Sequence, residues 1–146
     1  MQRTALLPIL LLAAGCSRHA EPPKVTQAWV RLPAVAGGPA AAYFTLAGGS
    51  SKERLVKVES AMAARAELHA SMAGTGGMAT MKPLEAVDVP AGGSIGFSPG
   101  GNHVMLFGID PAVKPGTAVP LRFGFADGKT AEAEAKTVRA GEDAPY

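Results

Sequence analysis

Two of the three histidines, His69 and His103, bracket a window rich in methionine. Met72, Met78 and Met81 lie inside it, and Met105 lies two residues past its end. One methionine in a core is a gap-filler; four beside two imidazoles describe a place that wants soft sulfur and nitrogen together. Thioethers are neutral and soft. They select Cu(I), with imidazole a compatible partner, and they are absent from the zinc ligand set of Cys, His and carboxylate. A blue-copper electron-transfer centre needs a cysteine thiolate, and the only cysteine, Cys16, lies near the N-terminus, far in sequence from the candidates. With one cysteine there is no C-x-x-C redox motif and no internal disulfide. What survives is a thiolate-free copper site that can hold the ion and release it.

Other chemistry is poorly supported. "GGSIG" at 92–96 satisfies G-x-S-x-G, but a nucleophile elbow needs a strand before the serine and a helix after it. Here Pro90 and a glycine pair precede Ser94, and Pro99 and Gly100 follow, which is turn chemistry. "GTGG" at 74–77 has no lysine and no helix signal, so it is no phosphate loop. No acid–base pair or nucleophile stands out, and no enzyme is expected. The 14 basic and 12 acidic residues nearly balance and the basic ones are scattered, which argues against a nucleic-acid partner.

The elements that must position the candidates read as strands. In "PGGNHVMLFGID", 99–110, an extended backbone would put His103 and Met105 side by side on one face, with Val104 and Leu106 on the other. Taken alone, H-x-M reads as a core strand with one satisfied histidine, and it is the rest of the chain that moves that reading. Glycine (18) and proline (12) are abundant and aromatics scarce, which favours short strands and turns over a helix bundle. "VTQAWVRLP" is the first strand, with Trp29 and Arg31 sharing a face, and "AAYFTLAGG" the second. "ERLVKVESA" and "ARAELHASM" follow, and "MATMKPLEAVDVPAGGSIGFSPGG" reads as two short strands around 90–93. At the end, "VPLRFGF" and "TAEAEAKTVR" flank Asp127-Gly128, a hairpin-turn pair. "AEAEAK" has helix propensity, but the alternation of Glu132 and Glu134 after a turn argues for a strand. Seven or eight strands in a domain spanning 25–140 predict an all-β, Greek-key barrel or sandwich. Trp29 and Tyr43 read as core residues, and 141–146 as a short tail.

The N-terminus reads as processing and anchoring sequence. "MQRTALLPILLLAAGC" carries Arg3 and then an apolar stretch at 5–14, too short for a bilayer, which takes roughly 20 residues, but suited to a signal peptide. It ends in Leu-Ala-Ala-Gly-Cys, which resembles a bacterial lipobox. The expectation is a signal peptide at 1–15, lipidation at Cys16, and a polar, proline-rich tether at 16–24 that contains His19. That places the domain in the periplasm, on a membrane by its lipid anchor.

The spacing His69-x11-Met81-x21-His103-x-Met105 resembles the signature of the PCu(A)C-type periplasmic copper chaperones. "AWVR", "AAAYFTL", "AARAELH", "MATMKPL", "VPAGG" and "PGGNHVMLFGI" resemble that family as well, so the likeness spans nearly the whole domain. It implies a cupredoxin-like fold and one Cu(I) held by His69, Met81, His103 and Met105. Met72 and Met78 stand beside these as accessory candidates, Met72 more as a rim residue. The resemblance also implies delivery of copper to the CuA centre of cytochrome c oxidase, with oxidase subunit II and a Sco-type protein as partners. Periplasmic copper buffering without a dedicated client is the alternative. The chain departs from the family in two places. Ala70 and Ser71 follow His69, and the tail "RAGEDAPY" has neither Met nor His, so no second copper site is expected there. A shallow, partly exposed site is expected, because neutral ligands leave Cu(I) with its positive charge.

Overall fold

The computed structural model describes residues 20–146. The expected signal peptide at 1–15, Cys16 and His19 lie outside the described residues. The strands are β1 (Lys24–Arg31), β2 (Ala40–Ala47), β3 (Glu53–Glu59), β4 (Ala63–Ala73), β5 (Ala79–Pro83), β6 (Val87–Val89), β7 (Ser94–Phe97), β8 (Asn102–Ile109), β9 (Ala118–Phe125) and β10 (Thr130–Val138). They form one sheet in the order β5-β4-β8-β2-β1-β10-β9-β3-β6, and β7 pairs with β2. Pairing is antiparallel except between β1 and β10.

The all-β expectation holds, with ten strands in place of seven or eight. The segment read as two strands contains three, β5, β6 and β7; β5 ends at Pro83, although Leu84 N–H still donates to the Leu68 carbonyl. The final hairpin forms as expected. Gly128 takes φ 88° in its turn, which a Cβ would resist. β10 is extended through "AEAEA", with Glu132 and Glu134 exposed: pairing to β9 overrides helix propensity.

The main core lies on one face of the sheet. Phe44 stacks on Phe97 at 4.2 Å between ring centroids and meets Phe123 edge-on at 4.8 Å. Such pairs add about 0.5–1.5 kcal/mol beyond area burial. In β3, Leu55 and Val58 are both buried although they are three apart, whereas Val56 is exposed. A register shift against β9 between Leu55 and Lys57 explains this, since a bulge inserts one residue and turns the alternation over. The buried Glu53 carboxylate accepts from Lys129 Nζ at 2.8 Å and from Ser51 at 2.9 Å. Burying a charge is costly unless it is paired and hydrogen-bonded, and this one is both.

Candidate metal centre

β4 and β8 pair residue for residue along one face: Arg65 with Phe107, Glu67 with Met105, and His69 with His103. β5 extends that face, setting Pro83 opposite His69 and Met81 opposite Ser71. On the other face of the same strands, Leu68, Val104 and Leu106 enter the main core. The period of two therefore does two jobs at once: every core residue on β8 is flanked by a candidate ligand pointing away from the core. Directly opposed side chains start about 4.5–5.5 Å apart at Cβ and diagonal ones about 7–8 Å, within reach of long thioethers. His103, Met105, His69 and Met81 thus share one face of three adjacent strands.

The loop before β8 sets His103. Gly100 takes φ 82°, Gly101 N–H donates to the Ser98 carbonyl, and Ser98 N–H donates to the Asn102 carbonyl. The tight turn leaves the Gly101 carbonyl facing inward, where it accepts from Ser71 N–H at 3.1 Å and lies 3.0 Å from His103 Nδ1. A carbonyl only accepts, so Nδ1 carries the proton and Nε2 keeps its lone pair. That Nε2 is buried and has no hydrogen-bond partner.

In His69 the unpartnered nitrogen is the other one. Its Nε2 lies 3.4 Å from Glu67 Oε2, and its Nδ1 is buried without a partner. Among the described residues, these two nitrogens are the buried side-chain N and O atoms left unpaired. An orphaned buried polar atom costs about 1–3 kcal/mol, so two on neighbouring rings with centroids 5.9 Å apart make this face the candidate for a ligand. Two imidazole lone pairs on a face that also carries two methionines fit Cu(I). Among the described residues, no three His, Cys, Asp or Glu side chains converge as a zinc site would require.

The site is graded in depth rather than uniformly shallow. His103 is 3 % exposed, whereas Met81 is 60 % exposed. The reason is a second buried cluster on the same face: Trp29, Tyr43 and Val138, with Ala41 against it. Tyr43 lies 6.4 Å from the His103 ring and 4.5 Å from Trp29, and Arg31 sits over both aromatic rings. Trp29 and Tyr43 are buried as expected, yet they form a cluster of their own, with Tyr43 beside His103, rather than join the main core. Burial pushes the Tyr43 phenol up and Arg31 draws it part of the way back, so Tyr43 stands beside the site as a neutral group.

The accessory methionines fall elsewhere. Met72 pairs with Thr80, one residue out of phase with the site, so it lies on the opposite face of β4 and is exposed. Met78 caps the short 3-10 turn Thr75–Gly77 in the β4–β5 hairpin, also exposed. β4 stays extended through Ala73, so only the hairpin tip separates it from β5. Glu67 was not singled out by sequence, although its position two residues before His69 on a strand was the available signal.

A family model described as "Putative lipoprotein LpqE-like" matches residues 24–137. A relative from Leifsonia xyli subsp. xyli, "Putative lipoprotein Lxx21020", is 28 % identical over 142 residues, covering 89 % of this chain and 84 % of its own. Among solved structures, apo-DR1885 from Deinococcus radiodurans is similar at TM-score 0.61 and 27 % identity, over 97 % of both chains. Its CuI form matches with the same score and identity, over 89 % of this chain and 85 % of that one. The copper-bound PCuAC domain from PmoF2 is similar in fold at TM-score 0.66 and 21 % identity, over 82 % of this chain and 95 % of that one.

Proposed function

The chain belongs to the LpqE-like family and has the fold of PCuAC domains, and we propose that it binds one Cu(I) through His69, His103, Met81 and Met105 and passes it on. The observation that carries this reading is the pair of buried, unpartnered imidazole nitrogens on the face that also presents both thioethers. The gradation in depth suits a carrier. The histidines are held by paired strands, while the exposed Met81 is the ligand an incoming donor can displace, with no proton needed for its departure. The similarity to CuI-DR1885 supports Cu(I) as the cargo. Anaerobic competition against a Cu(I) chelator should give a 1:1 complex, and a parallel Zn(II) titration should give much weaker binding. A 1:1 Zn(II) complex tighter than the Cu(I) complex would overturn the assignment.

We also propose that the domain is held at a membrane in the periplasm by lipid on Cys16, and that it serves CuA assembly on oxidase subunit II beside a Sco-type protein. The lipoprotein names of the family and of the Leifsonia relative support the anchor. One cell experiment tests both parts. A deletion strain should lose oxidase activity at limiting copper, regain it with added copper, and regain it with the wild-type gene. Wild-type protein should fractionate with membranes and Cys16→Ala protein with the soluble fraction. Unchanged oxidase activity in the deletion strain would favour copper buffering over delivery, and soluble wild-type protein would refute the anchor.

A further inference from the structure

We propose that Arg65 and Glu67 form a positioning relay that turns Nδ1 of His69 toward the metal and keeps the Glu67 carboxylate from ligating in its own right. The proposal deepens the copper reading and rests on it. Arg65, Glu67 and His69 occupy alternate positions on β4 and so share one face. The two carboxylate oxygens of Glu67 are divided between neighbours: Oε1 lies 2.8 Å from Arg65 Nε, and Oε2 lies 3.4 Å from His69 Nε2. Arg65 is itself steadied from β8, where its guanidinium lies 4.4 Å over the Phe107 ring.

Two effects then choose the same tautomer of neutral His69. A proton on Nε2 directs an N–H dipole at a carboxylate, whereas a lone pair there would face negative charge. A proton on Nδ1 would be a buried donor with no acceptor. At 3.4 Å the Glu67 contact exceeds good hydrogen-bond length, so its bias is mainly electrostatic. Carboxylates that orient the far nitrogen of a ligating histidine commonly change metal affinity 10–100-fold when removed. The second role concerns selectivity. Glu67 sits directly across from Met105 and two residues from His69. Released from Arg65, it would complete a two-histidine, one-carboxylate set, which is a zinc ligand set. Arg65 occupies one of its oxygens and holds the hard donor aside.

The relay can be tested without copper. In the apo domain, 15N NMR of the histidine rings should show His69 protonated at Nε2 in the wild type. Glu67→Ala should shift the ring toward the Nδ1–H form. Glu67→Gln, whose amide oxygen still accepts, should retain more of the wild-type signature. Arg65→Leu should raise Zn(II) affinity by freeing a carboxylate ligand, and the gain should disappear in Arg65→Leu/Glu67→Gln. Backbone amide spectra serve as the folding control. A tautomer indifferent to Glu67→Ala, or Zn(II) affinity indifferent to Arg65→Leu, overturns the relay even if the wild type binds Cu(I) tightly. If the tautomer and zinc results hold while the wild type fails to bind Cu(I), the copper reading falls and the relay stands.

Discussion

In the Met81→Leu/Met105→Leu variant, Cu(I) affinity should drop by roughly three orders of magnitude, about 4 kcal/mol, while the thermal midpoint moves by no more than a few degrees. The separation of binding from stability follows from where the two side chains sit. Met81 is 60 % exposed, so the fold draws little from its packing. Met105 is half-buried opposite Glu67 and Ala41, and Met to Leu conserves volume and apolarity at a cost usually below about 1.5 kcal/mol. What leucine cannot supply is the sulfur lone pair, and the variant keeps two imidazoles where four donors stood. Met72→Leu/Met78→Leu is the matched control, with the same chemistry at residues off the site's face. Its affinity should stay within about threefold of wild type, roughly 0.7 kcal/mol. Chelator competition with calorimetry measures both quantities. Equal losses in the two double variants would mean that methionine content, not the β4–β5–β8 face, governs binding.

The difference between those two pairs also separates what was legible in sequence from what was not. His103 and Met105 could be placed together because the period of two is local: an apolar run bounded by glycines and Asp110 commits them to one face. Their relation to His69 and Met81 is non-local. The pairing of β4 with β8 that sets His69 opposite His103 depends on register across some thirty intervening residues, and no single-segment pattern states it. A resemblance in spacing supplied the set, and the register places its four members on one face. The same register separates Met81 from Met72, a distinction that composition blurs.

Other features escaped for equally specific reasons. The bulge between Leu55 and Lys57 inverts β3, and the parallel pairing of β1 with β10 joins strands far apart in sequence, where no turn signal exists. Trp29 and Tyr43 were legible as buried but not as belonging to the second cluster, because burial alone does not say which face of a sheet a residue lines. Glu67 looked like an ordinary solvent-facing charge on an alternating strand. Only its two neighbours on the folded face, Arg65 and His69, give that carboxylate a task.

Acidification should weaken Cu(I) binding with a steepness that reports the number of ligating histidines. His103 Nδ1–H is committed to the Gly101 carbonyl, so Nε2 holds the lone pair available to a metal, and a proton that takes it displaces the metal. Nδ1 of His69 stands in the same position, with Glu67 at its far nitrogen. Binding is therefore strongest at high pH and is lost as pH falls. In the acid limit each ligating imidazole contributes about one logarithmic unit of affinity per pH unit, and two together about a hundredfold per unit. Thioethers have nothing to titrate in this range. Met81→Leu should lower the whole curve and leave its slope alone. His103→Met should remove one proton from the slope, because it exchanges a titrating donor for one that does not. That variant carries the larger folding risk, since His103 is 3 % exposed and its loss leaves the Gly101 carbonyl with Ser71 N–H as its remaining partner, so circular dichroism must accompany each titration. The measurement is chelator competition from about pH 8 to about pH 5 on wild type and both variants. A flat wild-type curve would remove both histidines from the site, and the two unpartnered nitrogens would then need another explanation. A slope of one that His103→Met leaves unchanged would keep His69 and return His103 to a structural role on β8.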